Sequence, residues 1–204
     1  MIKNEVSFDL NLVNGNRETA LVLAARAGLA DNMKVLLKLW DSLDLDVNLP
    51  DASGCNALMV YIKGCRDKVD AEVDAEVVQL MLDVDVDLTF RDHSNQTAAI
   101  FLAGANGLAA KQIFLQASDV AETLDVIDLY HSTALLRAVN SKDFEYFKLL
   151  VEAGATVGLE VNDLSAPKLA KRNGLNEYLK FIDDYQDRVE NLSDGDEEYR
   201  RMGD

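Results

Sequence analysis

The sequence predicts an all-α repeat protein, a solenoid of helix-turn-helix units with short β-hairpin turns. Three observations predict it. First, one short pattern recurs: Thr19-Ala20-Leu21-Val22-Leu23-Ala24-Ala25 ending at Gly28, Asn56-Ala57-Leu58-Met59-Val60-Tyr61-Ile62, Thr97-Ala98-Ala99-Ile100-Phe101-Leu102-Ala103 and Thr133-Ala134-Leu135-Leu136-Arg137-Ala138-Val139, with a weaker copy at Ser165-Ala166-Pro167-Lys168-Leu169-Ala170 ending at Gly174. Second, apolar stretches of helical length follow these segments. Third, Leu10, Val47 and Leu88 each stand nine residues before Thr19, Asn56 and Thr97, inside Asp9-Leu10-Asn11, Asp46-Val47-Asn48 and Asp87-Leu88-Thr89. Chance rarely repeats a helix pair plus a turn in one frame.

Each element follows from its residues. A Ser, Thr or Asn at the head of a segment is a good helix N-cap, because its side-chain oxygen accepts from an open backbone N–H of the first turn. The small residues beside it let a neighbouring helix come close. The second helices carry Met33, Val35, Leu36, Leu37 and Leu39, then Val77, Val78, Leu80, Met81 and Leu82, then Phe144, Phe147, Leu149, Leu150 and Val151. They are nearly apolar all round, which suits burial between neighbours. Between units, Asp51-Ala52-Ser53-Gly54 and Asp92-His93-Ser94-Asn95 are turn residues and predict projecting hairpin-like tips.

The ends need covers, because a stack exposes apolar surface where it stops. Residues 1–13 are expected to form an N-terminal cap, with Phe8, Leu10 and Leu12 alternating. About five repeats occupy 14–189, closing with a capping helix from Leu175 to Val189 that turns Leu175, Tyr178, Leu179, Ile182 and Tyr185 inward. Residues 190–204 are polar and acidic and are expected to be a mobile tail.

Composition narrows the function. With 204 residues, 49% hydrophobic and 27% charged, the chain suits one domain or one compact array. Its 36 acids against 20 bases give a net charge of -16, which repels phosphate backbones and anionic lipid heads. That argues against direct nucleic-acid or membrane-surface binding and favours a basic protein partner, unless the charge serves solubility alone. Two cysteines, Cys55 and Cys65, and two histidines, His93 and His131, do not form a zinc-ligand pattern, and a reduced, cytoplasmic compartment is the simplest expectation. No signal peptide and no membrane-length apolar run is visible. The Asp83-x-Asp85-x-Asp87 spacing imitates a calcium loop but lacks its glycine and its closing glutamate, with Leu88 and Ser94 in those places. Gly104-Ala105-Asn106-Gly107 reads as a turn between helices rather than a phosphate loop. No catalytic motif, metal site or cofactor is expected.

The unit resembles the ankyrin repeat, a β-turn plus two antiparallel helices of about 33 residues with a T-P-L-H-x-A signature. Thr19-Ala20-Leu21, Ala24-Ala25 and Gly28 carry the resemblance in repeat 1, and Leu149-Leu150-Val151-Glu152-Ala153-Gly154-Ala155 carries it in repeat 4. It covers roughly residues 5–185. The signature histidine is replaced by Val22, Met59, Ile100, Leu136 and Lys168, and Pro167 is one place out of register. Repeat spacing drifts, with candidate insertions at Trp40–Leu45 and Arg66–Val73, and Asp85 stands where the family usually has glycine. A HEAT-like α-solenoid is the structural alternative; the nine-residue register with its turns argues against it.

The resemblance implies a protein-binding scaffold whose contact face is made of turn tips and first helices. Carried over by register, that rule points to Asn16, Glu18 and Arg26; Ser53, Cys55 and Lys63; Ser94 and Gln96; Tyr130, Ser132 and Asn140; and Asn162, Leu164 and Arg172, with Tyr130 as the preferred anchor. An acidic patch of Asp67, Asp70, Glu72, Asp74 and Glu76 is a second candidate surface. The functions to be weighed are a non-enzymatic binder that neutralises a toxin or enzyme, an effector or adaptor engaging a regulatory protein, an acidic nucleic-acid mimic, and, least favoured, an enzyme with an unfamiliar site.

Overall fold

A computed structural model of the chain describes residues 9–42, 44–66 and 72–201, with side chains through residue 189. Eleven helices follow one another among these residues: α1 Ala20–Ala27, α2 Ala30–Lys38, α3 Ala57–Arg66, α4 Ala75–Asp83, α5 Ala98–Leu102, α6 Leu108–Leu115, α7 Ala121–Leu124, α8 Ala134–Ser141, α9 Phe144–Glu152, α10 Ala166–Arg172 and α11 Asn176–Arg201. They form two layers. The first helices α1, α3, α5, α8 and α10 contact each other in sequence along one row, and the second helices α2, α4, α6 and α9 do the same along the other. The segments beginning at Thr19, Asn56, Thr97 and Thr133 therefore lie side by side, as their shared register requires.

The caps act as their chemistry predicts. The side-chain oxygens of Thr19, Asn56, Thr97 and Thr133 accept from the amides of Val22, Met59, Ile100 and Leu136 at 3.2, 3.1, 3.4 and 3.2 Å. Each such cap contributes about 1 kcal/mol. Ser165 occupies the same place but makes no side-chain cap bond. The apolar residues at the signature-histidine position, Val22, Met59, Ile100 and Leu136, are all buried, whereas Lys168 is exposed. Apolar replacement there feeds the single continuous core that runs through the stack.

A second bracket ties repeat to repeat. Asn11 Oδ1 accepts from the Asp46 amide at 2.8 Å while its Nδ2 donates to the Asp44 carbonyl at 2.7 Å. Asn48 does the same to Asp87 and Asp85 at 2.8 and 3.3 Å. Asp44 and Asp85 adopt left-handed backbone at φ 48° and 54°. Aspartate tolerates this conformation better than most residues, and for Asp85 it explains why an acid can hold a place usually given to glycine.

Several expectations are modified. The turns lie among paired loops without forming a ladder: only isolated bridges, Glu72 to Asn106 and Val161 to Leu164, occur among the described residues. The second helix α2 is not enclosed. Val35 and Leu39 stand exposed, and Val35 with Leu23 and Leu29 on α1 and its following turn lines an apolar groove at the end of the described stack, where no further helix pair covers it among the described residues. Repeat 3 contains an extra short helix, α7. The helix α11 runs to Arg201, past the end placed at 189, because no proline interrupts the polar stretch after Val189. Its inward face packs Tyr178 against Phe144 and Phe147, with ring centroids 4.8 Å away in both cases. Of the N-terminal cap, Phe8 lies outside the described residues, Leu10 packs on the core and Leu12 is exposed.

The insertion after Arg66 is described only at its far end. There Val73 is buried and its amide donates to the Asn106 carbonyl at 3.0 Å. Gly107 makes the approach possible: its φ is 111°, and a Cβ would sit 2.6 Å from the Val73 carbonyl oxygen. Gly104 to Gly107 is thus the turn between α5 and α6, as read from the sequence.

Candidate partner-binding surface

The turn tips are built from one side-chain device used four times. Asn14, Asp51, Asp92 and Asp128 each open a tip, and each Oδ1 accepts from the amides two and four residues on. The amide of the opening residue donates in turn to the carbonyl of the fifth residue, at 2.9 to 3.1 Å. The fourth residue of each tip, Arg17, Gly54, Asn95 or His131, takes up left-handed backbone at φ 57° to 83°. Short Asx side chains are suited to this, because they bond their own backbone without long-range help. Adjacent tips are then stitched together: the amides of Ala52, His93 and Leu129 donate to the carbonyls of Asn16, Ser53 and Ser94 at 3.1, 2.9 and 2.9 Å.

This geometry sorts the residues selected from the sequence. Third positions in the tips point outward: Asn16, Ser53 and Tyr130 are exposed and Ser94 is half-buried. Fifth positions turn inward, because the amide bond back to the opening residue carries them beneath the tip. Glu18, Cys55 and Ser132 are therefore buried, at 6%, 1% and 8% exposure, and correct the expectation that they line an accessible surface. Gln96, the fourth residue of this class, is half-buried and donates to Asp128 Oδ2 at 2.8 Å. Cys55 is consequently a core thiol, pushed up to about 11 by burial and by the charge of Asp51.

Arg26 is half-exposed but engaged, bonding the Glu18 carboxylate and, at 2.7 Å, Asp51 Oδ2. Burial alone would raise the Asp51 carboxyl; bonds from the Ser53 hydroxyl, the Cys55 and Ser53 amides and Arg26 outweigh it and hold the group below the ordinary carboxylate value. Asp128 receives Arg137 Nη2 at 2.8 Å in repeat 4. The tips of repeats 2 and 4 are thus tied from beneath by ion pairs. Lys63 is half-buried, Asn140, Asn162 and Arg172 are exposed, and Leu164 is half-buried in a turn of its own.

The tip of repeat 4 differs from the others. Leu129 and Tyr130 are 66% and 67% exposed, with Ile127 beside them at 40%. Leu129 was not selected from the sequence, though the register contained the signal: its equivalents in the other tips are Gly15, Ala52 and His93. A large apolar residue at that position has no core to serve.

The acidic patch is reorganised by the preceding repeat. Asp67 and Asp70 lie outside the described residues. Glu72 is exposed. Asp74 caps α4 and pairs with Lys34 at 2.7 Å, and Glu76 pairs with Lys34 and Lys38 at 2.9 and 2.8 Å. Bonds from Lys38 and Lys34 lower the Glu76 carboxyl to about 2. Asp74 and Glu76 are therefore answered within the chain. Among the described residues, no group of three His, Cys, Asp or Glu side chains is placed to hold a metal ion, and no helix is long and apolar enough to cross a membrane.

Comparison with known proteins agrees with this architecture. Residues 1–60 match the family model for ankyrin repeats (many copies). No curated protein matches the chain. The family match covers the first repeat and the start of the second, and the same capped helix pair and Asx tip then recur in register through repeat 4. Ankyrin repeats generally mediate protein–protein interaction, and the family is typically a non-enzymatic binding scaffold. The match supports an ankyrin-repeat assignment for residues 1–60, and the recurring unit carries the same helix-pair architecture on through repeat 4.

Proposed function

We propose that the chain is a non-enzymatic protein-binding module that meets its partner with the turn tips and first helices, centred on Leu129 and Tyr130. The observation that carries this reading is the exposure of those two side chains on a tip whose backbone is fixed from below. Asp128 accepts from the amides of Tyr130 and Ser132, and Ser94 holds the Leu129 amide from the neighbouring repeat. A large apolar pair held rigid and exposed is costly for a free protein and suited to a partner's pocket, since little conformational entropy is lost on binding. Tyrosine adds a hydroxyl that can bond at the rim.

Covering an enzyme's active site and bridging regulatory proteins both use such a face. Affinity capture from native lysate tests the reading, with wild-type protein and a Leu129→Ala/Tyr130→Ala variant side by side. The expected result is a protein recovered by wild type and lost by the variant, whose melting temperature is unchanged. Recovery by both equally would place the contact elsewhere and defeat the proposal. The identity of the recovered protein separates the two roles.

A further inference from the structure

Charge is sorted between the two helix layers. The first helices α1, α3, α5, α8 and α10 carry seven Lys and Arg residues and not one Asp or Glu, in a chain whose acids outnumber its bases 36 to 20. Seven charges of a single sign, drawn where the other sign is nearly twice as common, need a cause. The helix dipole supplies part of one, because it favours cations in a last turn, where Arg26, Lys63, Arg66, Lys171 and Arg172 stand. The same dipole favours acids in a first turn, and none of these five helices has an acid there. Helix stability therefore accounts for five of the seven bases and fails to explain the missing acids.

The cations are also held in place. Lys63 Nζ and Arg66 Cζ lie 5.6 and 5.5 Å from the centre of the Phe101 ring, so two positive groups from α3 gather over one aromatic of the next repeat. Lys63 forms no ion pair among the described residues, and it lines a cleft of about 380 Å³ with Arg26, Asp51, Ser53 and Gly64, in which the one acid, Asp51, is buried and already paired with Arg26. At the other end of the row, Lys171 and Arg172 are exposed and likewise make no ion pair among the described residues. Arg26, Arg137 and Lys168 already have carboxylates in Asp51, Asp128 and Glu160.

We propose that this acid-free row is the docking face for an acidic, extended segment of a protein partner. Its Asp or Glu side chains answer Lys63 at one end and Lys171 and Arg172 at the other, and an apolar side chain rests on Leu129 and Tyr130. This identification of the partner rests on the reading that tips and first helices are the contact face. It reverses the partner sign suggested by net charge, because contact is governed by the groups within a Debye length, about 8–10 Å, rather than by the whole-molecule sum. Nucleic-acid phosphates are the less favoured anion: they arrive as a dense line of charge and must approach a molecule of net charge -16.

Panning a displayed library of random 12-residue peptides against the full chain tests the assignment. Wild type, the triple reversal Lys63→Glu/Lys171→Glu/Arg172→Glu and the Leu129→Ala/Tyr130→Ala variant are panned in parallel, with circular dichroism melting to confirm that each is folded and with Lys63→Gln as a milder substitute. The proposal expects wild type to select peptides enriched in Asp and Glu, and these peptides to bind the triple reversal at least about tenfold more weakly. Basic or neutral peptides that are lost on the Leu129/Tyr130 variant would overturn the acidic partner while leaving the contact face intact. Acidic peptides indifferent to the triple reversal would also overturn it. Selection of nothing would defeat both the partner and the face. Tighter binding of a labelled single-stranded DNA than of the selected peptides would reassign the row to phosphate.

Discussion

Replacing Asp143 by alanine should unlock the junction between repeats 3 and 4, and the size of the effect follows from what that carboxylate holds. Its Oδ2 receives Lys111 Nζ at 2.5 Å and the Gly104 amide at 3.0 Å, and its Oδ1 caps α9 by accepting from the Tyr146 amide at 3.2 Å. The Lys111 side chain is only 5% exposed and that of Asp143 14%. Lys111 also lies 5.2 Å from the Tyr146 ring centre, and Tyr146 bonds the Ala99 carbonyl through its hydroxyl at 3.0 Å. Removing the acid strands a buried cation, which costs about 3–5 kcal/mol; the lost cap belongs to the same group and is not simply additive. At about 2–4 °C per kcal/mol for a chain of this size, the melting midpoint should fall by about 6–20 °C. Thermal melting and urea unfolding of Asp143→Ala, Lys111→Met and the double variant measure the midpoint and the free energy. The double variant should recover part of the loss, because no unpaired ammonium remains. A single Asp143→Ala cost below about 1 kcal/mol, or a double variant less stable than Asp143→Ala alone, would refute the reasoning.

Other expectations are narrower. Thr133→Ala should cost about 1 kcal/mol in chemical denaturation through its cap bond to Leu136, whereas Ser165→Ala, which loses no cap bond, should cost close to nothing; equal costs would contradict the cap assignment. Glu76 has a folded pKa depressed from 4.5 to about 2, so its contribution to stability is present above pH 4.5 and is lost as pH falls toward 2. A carboxyl titration by nuclear magnetic resonance should find it there, and Glu76→Gln should flatten that part of the acid limb; a midpoint near 4.5 would show that Lys34 and Lys38 do not hold it. Cys55, with its thiol raised to about 11, should resist Ellman's reagent in the native chain at pH 8 and react on unfolding; reaction at the rate of a free thiol would contradict its burial.

Much of the fold was legible because its signals are local. The nine-residue interval to each cap, the Thr and Asn caps and the Asp-initiated turns all act over a few residues, and each bond they imply is formed. What escaped depends on residues one repeat away. The place of Cys55 in a tip suggests exposure, and only the Asx turn from Asp51 sends it inward. Asp74 and Glu76 in sequence suggest an open acidic surface, yet Lys34 and Lys38 of the preceding repeat answer them. Lys111 looks like a solvent-facing lysine until Asp143, 32 residues later, is placed beside it. The exposed apolar surface of Val35 and Leu39 belongs to the end of a stack, a property that no single helix pattern contains.

Hydroxyl-radical footprinting of the chain with and without its captured partner tests the central claim most directly. Leu129, Tyr130 and His131 report on the tips, while Val35, Leu39 and Trp40 report on α2 and the turn after it, and all six are exposed in the chain alone. Binding should protect the first three and leave the others as reactive as before. Protection of Val35, Leu39 and Trp40 with Leu129 and Tyr130 still oxidised would contradict the account.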